Sequence, residues 1–185
     1  MSLITEIIKL NKLTPEAIVF IEGRIEQHTV KKGSKLLHDG ETCNYFYFVT
    51  KGILRSYYYS DSKEVTNWFA LENDFATSIY SFISRNHAYE YIEALEDTEI
   101  EMLSYSALQE IYSTFPETER TGRLIIENYY INLEERVISI QFKAAKERYD
   151  RLLVRYPSII LRAPLGTIAS YLGITQETLS RIRGK

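Results

Sequence analysis

Apolar and polar positions along this chain keep three rhythms in turn, and each predicts its own kind of element. The first is helical, over residues 3–10 and again over 15–23. Thr14-Pro15-Glu16 opens the second helix with an N-cap, a proline at the first position and an early acid. The rhythm then shortens to alternation and brief apolar runs, which predict strands at 25–30, 35–38, 44–50, 53–59, 64–70, 75–79, 89–95 and 98–103. Lys51-Gly52 and the polar stretch 60–63 read as tight hairpins between them. Short strands with frequent turns predict a jelly-roll barrel, that is, a double-stranded β-helix, in an α+β protein. Tyr45, Tyr47, Tyr57, Tyr58 and Tyr59 read as pleated surface and core rather than as a stacking platform for nucleic acid.

Helical spacing returns at 105–114, and Pro116 opens a much longer helix. There Ile126, Tyr130, Leu133, Val137, Ile140 and Ala144 follow one another at alternate steps of four and three, which places them on one stripe. Leu124, Ile131, Ile138, Phe142 and Ala145 form a second stripe almost opposite. A helix with two apolar stripes has to be covered twice. One stripe is expected to pack on the barrel and the first to meet a second copy of the chain in a two-fold dimer. A further helix is expected at 145–156. The organisation is thus a barrel over 1–115, a dimerisation helix over 116–143 and a small helical unit over 144–185.

That last unit ends LGTIASYLGITQETLSRIRGK, a pattern that fits a DNA-reading helix-turn-helix. Ala169 is small enough for two helices to cross closely, and Gly173 can take the positive φ that leaves the first helix. Ile168, Leu172, Ile174, Leu179 and Ile182 supply the apolar contacts beneath. Thr175 is a good N-cap, with Glu177 in the first turn, where the helix dipole favours an anion. Gln176, Glu177, Ser180, Arg181 and Arg183 are left to face bases, while Thr167, Thr175 and Lys185 suit phosphates. The chain ends at Lys185, so no wing hairpin is expected behind the reading helix.

The formal charge of −3 hides a split. From Lys143 onward nine Lys and Arg face three acids, giving +6 and leaving −9 on the preceding residues. A basic tail on an acidic body suits a phosphate-meeting unit carried by one that avoids phosphates. Cys43 is alone, which argues against a disulfide framework or an iron–sulfur cluster. The N-terminus lacks the marks of a signal peptide and no run reaches membrane-spanning length, so a cytoplasmic protein is expected. His28, His38 and His87 show no ligand spacing, and no nucleophile–base motif is present. A cupin-type barrel enzyme is therefore disfavoured, with no catalytic residues, metal or cofactor expected.

Together, the segments KKGSKLLHDGE, FYFVTKGILRSYY and LENDFATSIYSF and the C-terminal hairpin resemble the Crp/Fnr family of bacterial transcription regulators. The resemblance implies a cyclic-nucleotide-binding-like sensor, a dimer, and double-stranded DNA as partner, with RNA polymerase and a small-molecule effector as further partners. It places a ligand cassette at Phe75, Thr77, Ser78, Ile79, Tyr80, Arg85, Ala88 and Tyr89. Where nucleotide-binding members carry a glutamate for the ribose and an arginine for the phosphate, this chain has Ser78 and Ala88. Loss of both charged contacts predicts no response to cyclic AMP. The alternative is a sensor for a non-nucleotide molecule held between Phe75, Ile79, Tyr80 and Tyr89.

Overall fold

The computed structural model describes residues 1–184; Lys185, expected to touch DNA, lies outside them. Helices α1 (Leu3–Leu10) and α2 (Pro15–Glu22) open the chain, capped by Ser2 and by Thr14, whose hydroxyls accept from Thr5 N and Ala17 N. Strands follow at β1 (Glu26–Val30), β2 (Lys35–Leu37), β3 (Tyr45–Lys51), β4 (Leu54–Ser60), β5 (Lys63–Ala70) and β6 (Phe75–Ala76). A short helix α3 (Ile79–Ser84) precedes β7 (Tyr91–Ala94) and β8 (Thr98–Ser104). Then come α4 (Tyr105–Thr114), α5 (Thr118–Phe142), α6 (Ala145–Arg155), α7 (Ile159–Arg162), α8 (Leu165–Leu172) and α9 (Gln176–Arg183).

The strands form two antiparallel sheets, ordered β1-β8-β3-β6 and β2-β7-β4-β5. Val49, Ile100 and Met102 of the first meet Leu37, Leu54, Ala70, Ile92 and Ala94 of the second in one core. The expected jelly roll is therefore present as a two-sheet sandwich, not as a barrel closed by hydrogen bonds. Burying aliphatic side chains of this size contributes roughly 1.5–3 kcal/mol each, before the entropy of ordering them is counted.

Three turns show how sequence and topology interact. At Asp61-Ser62 both residues have positive φ (49° and 63°), the geometry that closes β4 on β5 at Ser60↔Lys63. Lys51-Gly52 does not make a hairpin. β3 and β4 lie in different sheets, and Gly52, at φ 102°, carries the chain across between them. A Cβ there would come 2.7 Å from Thr98 Cα, so the crossing admits only glycine. The strand expected over 75–79 stops at Ala76. IYSFIS coils into α3, burying Ser81 and Phe82, because an apolar run this short suits a buried helical turn as well as a strand.

α5 corrects the two-stripe expectation. The positions turned toward the sandwich and the N-terminal helices are Thr118, Thr121, Ile125, Tyr129, Asn132 and Arg136, buried or half-buried. Leu124 is half-buried, whereas Ile131, Ile138 and Phe142 of the second stripe stay exposed. So do Ile126, Tyr130, Leu133, Val137 and Ile140 of the first. The chain thus covers a mixed polar–apolar face of α5 and leaves a broad apolar belt exposed. Ala144 keeps the spacing but not the helix: α5 ends at Phe142, and Ala144 sits in the extended connection that caps α6.

The C-terminal helices are seated on the outer face of the sandwich. Ile53, Phe69, Leu71 and Leu95 pack against Leu152, Tyr156, Ile159, Ile168, Leu172 and Leu179. Ser170 Oγ, on α8, accepts from Thr66 N and donates to Glu64 O, both at 2.9 Å, so it completes the unpaired edge of β5. Arg162 forks onto Glu72 (2.6 and 2.9 Å) and Glu96 (2.6 Å). Hydrogen bonds from Arg162, with the Gly52 amide, outweigh burial and depress the Glu72 carboxyl to about 2.

Two expectations follow. Leu179 is fully buried, so Leu179→Ala should lower stability by about 2–5 kcal/mol in urea unfolding. Glu72 is more acidic folded than unfolded, so its contribution is complete above about pH 5 and fades as pH falls toward 2. The stability advantage of wild type over Glu72→Gln should therefore shrink across that window; a pH-independent gap would contradict the pairing.

Candidate nucleic-acid interface and ligand cassette

The terminal hairpin is built as its residues demand. Gly173 takes φ 63° and closes α8, its amide donating to Ser170 O (3.0 Å) while Ile174 N reaches Ala169 O (3.0 Å). Ala169 is 2% exposed, at the place where bulk would part the helices. Thr175 Oγ1 accepts from Thr178 N (3.2 Å) and starts α9. Leu179 then points down into the cluster shared with the sandwich.

The opposite side of α9 is open. Gln176, Glu177, Ser180, Arg181 and Arg183 are all exposed. Arg181 reaches back one turn to Thr178 Oγ1 (3.2 Å). Glu177 is held below the usual carboxylate range by its own backbone amide, then by Thr175 and by the charge of Arg181. Gln176 folds over Gly166, and that contact ties the start of α9 to the first turn of α8. Thr167, half-buried, lies in the same first turn of α8. The sequence-picked residues of the described chain thus share one polar, largely solvent-facing surface.

The cassette is a different matter: Phe75, Thr77 and Ile79 line one cavity, while Ser78, Tyr80, Arg85, Ala88 and Tyr89 take no part in it. Thr77, Ser78 and Ala88 are buried. Thr77 Oγ1 donates to Tyr45 O (2.9 Å), and Ser78 Oγ has no hydrogen-bond partner. Tyr80 and Tyr89 are half-exposed and lean on each other outside, ring centres 5.7 Å apart, because α3 turns Tyr80 outward. Phe75 and Ile79 face inward to a cavity that neither tyrosine lines. The four aromatic and aliphatic side chains expected around a non-nucleotide ligand therefore do not meet.

Arg85 does not stand free for an anion. It caps α3 at φ 62°, and its guanidinium donates to Cys43 O (2.8 Å), Phe82 O (3.1 Å) and Asn44 Oδ1 while lying 4.1 Å from the Tyr105 ring centre. Cys43 is buried, its thiol within 3.4 Å of Tyr45 O. Among the described residues no group of three or more His, Cys, Asp or Glu side chains is placed to hold a metal. No described helix is long and apolar enough to cross a membrane.

What sequence reasoning missed is the joint between the two units. Arg136 of α5 donates to Tyr171 O (3.1 Å) on α8 and to Thr66 O (3.2 Å) on β5. Tyr156 donates to Phe69 O (3.2 Å). The one legible hint was an arginine on a helix face otherwise occupied by Ile125, Tyr129 and Asn132.

Residues 27–115 match the family described as Cyclic nucleotide-binding domain. The chain is 21% identical to Electron transport regulator A of Shewanella oneidensis and 23% identical to the Fumarate and nitrate reduction regulatory protein of Vibrio cholerae. Each match covers 84% of this chain and 66% of the relative, just under two thirds of its length. The fold is shared with FixK2 from Bradyrhizobium japonicum (TM-score 0.77, 23% identity, 86% of this chain and 83% of that one). It is shared too with a transcriptional regulator of the Crp/Fnr family from Eubacterium rectale (TM-score 0.71, 22% identity, 92% and 82%). Both sequence relatives are regulators by name. Residues 27–115 thus resemble a cyclic nucleotide-binding domain, and the chain as a whole shares its fold with FixK2 and with a regulator of the Crp/Fnr family.

Proposed function

We propose that this protein is a sequence-specific, DNA-binding transcription regulator that works as a homodimer and does not respond to cyclic AMP. The observation that carries the reading is the exposed face of α9, where Gln176, Glu177, Ser180, Arg181 and Arg183 stand clear of a helix anchored by Leu179. Arg181 suits the acceptor edge of guanine, Gln176 that of adenine, and Glu177 accepts from a cytosine amino group. Thr167, Thr175 and nearby backbone amides suit phosphate, and Arg183 and Lys185 add sequence-independent attraction that salt weakens.

The belt of Ile126, Tyr130, Leu133, Val137 and Ile140 supports a two-fold pairing along α5. Two reading helices on one duplex face are expected about 34 Å apart, on a pseudo-palindromic site. Ser78 and Ala88 support the absence of a cyclic AMP response, since neither supplies a charge for ribose or phosphate. RNA polymerase and a small-molecule effector remain partners drawn from the Crp/Fnr resemblance alone.

Selection from random duplex DNA followed by mobility shift tests the reading directly. A palindromic motif should emerge, and Arg181→Ala should cost about 1–3 kcal/mol on it while relaxing base preference at one position. Equal binding by the variant, or no motif, defeats it. Light scattering should find wild type at twice the chain mass and Leu133→Asp/Ile140→Asp at the chain mass; a wild-type monomer defeats the pairing.

A further inference from the structure

Gly166 has no conformational reason to be glycine. It is the second residue of α8, and it is not among the glycines with positive φ, which are Gly33, Gly40, Gly52 and Gly173. Alanine is the better residue inside a helix, because glycine gives up more backbone freedom there. What the position lacks is room. A Cβ at Gly166 would run into Gln176 Nε2, with Gln176 Cδ 3.5 Å away. Beyond its chain neighbours and its own helix backbone it would meet nothing else within 4 Å. The obstruction is the end of one flexible side chain, and the missing methyl leaves a notch that holds one amide.

Gln176 is the first residue of α9 and is exposed. Its neighbours on that face are tied down. Arg181 donates to Thr178 Oγ1 (3.2 Å), and the Glu177 carboxyl is held by its own backbone amide and by Thr175. The side-chain bonds of this turn otherwise join Thr175 to Thr178, and among the described residues none reaches the Gln176 amide. Gln176 therefore rests on α8 by shape alone. Its two donors and its acceptor stay unused, and swinging it outward breaks no hydrogen bond.

We propose that Gly166 is a positioning residue that sets how sharply Gln176 discriminates between bases; the proposal rests on α9 being the DNA-reading helix. With glycine at 166 the Gln176 side chain has two places, extended to an adenine edge or laid back over α8. Over any other base it withdraws into the notch. Its amide is then not pressed against mismatched donors and acceptors, and the wrong base carries little penalty. A methyl at 166 closes the notch and keeps the amide outward, where a mismatched base leaves polar groups desolvated and unpaired. Gly166 thus makes one position of each half-site permissive without itself facing a base.

The experiment uses the whole chain and the duplex motif enriched from random DNA. Gln176→Ala identifies the base pair in question as the one whose preference it flattens. Affinities are then measured for the four duplexes that differ at that pair. Gly166→Ala should raise the ratio of affinity for adenine over the next-best base by about threefold or more. In a Gln176→Ala background the same change should leave the ratios unaltered, which separates positioning from a general effect on α8. Thermal melting should find Gly166→Ala no less stable than wild type, since only a mobile side chain is displaced. In the free protein, nuclear Overhauser contacts should join the Gln176 side-chain amide protons to Gly166 Hα. An unchanged ratio in Gly166→Ala, an equal change in the Gln176→Ala background, a lower melting temperature or a missing amide contact overturns the proposal while the DNA-binding reading stands. No enriched motif at all defeats that reading and the proposal together.

Discussion

An unpaired sheet edge has to be satisfied or covered, and in this protein the edge of β5 decides how the two units meet. Its backbone groups at Glu64 and Thr66 find Ser170 on α8 and Arg136 on α5, so one strand is closed by side chains from two other elements. Phe69 and Leu71, at and just beyond the end of the same strand, bury their rings and methyls under α6, α7 and α8. The polar bonds fix the register of the seat and the apolar cluster supplies most of its energy. Everything on the C-terminal surface inherits its orientation from that seam.

Charge organises the same seam. The division into an acidic body and a basic tail reads first as an arrangement for meeting phosphate. Part of it is spent internally, because Arg162 of the tail is neutralised by Glu72 and Glu96 of the body. The same logic holds on the outer face of the second sheet, where Arg55, 7% exposed, is shared between Glu64 and Glu93 on the neighbouring strands. Net charge over a segment therefore overstates what is free to act on a partner; among the described residues no carboxylate is so matched to the arginines of α9, which keep their charge outward.

Much of this was legible before any coordinates. α1 and α4 begin and end where the spacing says, because Ser2 and Ser104 cap them and their apolar faces are regular. The terminal hairpin was equally legible, since Gly173, Thr175 and Leu179 each have a steric task that few other residues perform. Failures came where local pattern is ambiguous and long-range geometry decides. IYSFIS satisfies strand or helix, and only the neighbouring sheet selects helix. Lys51-Gly52 has the look of a hairpin, but nothing local says that the strands on either side belong to different sheets. The buried face of α5 was invisible because it carries Thr121, Asn132 and Arg136, polar side chains whose partners lie far away in sequence. Cassette enclosure failed for the same reason, since Tyr80 and Tyr89 look like lining until α3 rotates one of them outward.

Gly52 shows how far such wiring extends. Its amide donates to Glu72 Oε1 (2.8 Å), the same oxygen that Arg162 grips, and the missing Cβ is what lets Thr98 come close enough for Ile53 N to reach its hydroxyl. Any larger residue at this crossing pushes on Thr98 and shifts the carboxylate that anchors the tail. A lesion at this buried crossing of the sandwich would thus emerge as a wobble in distant α9, with no change to any residue on its exposed face.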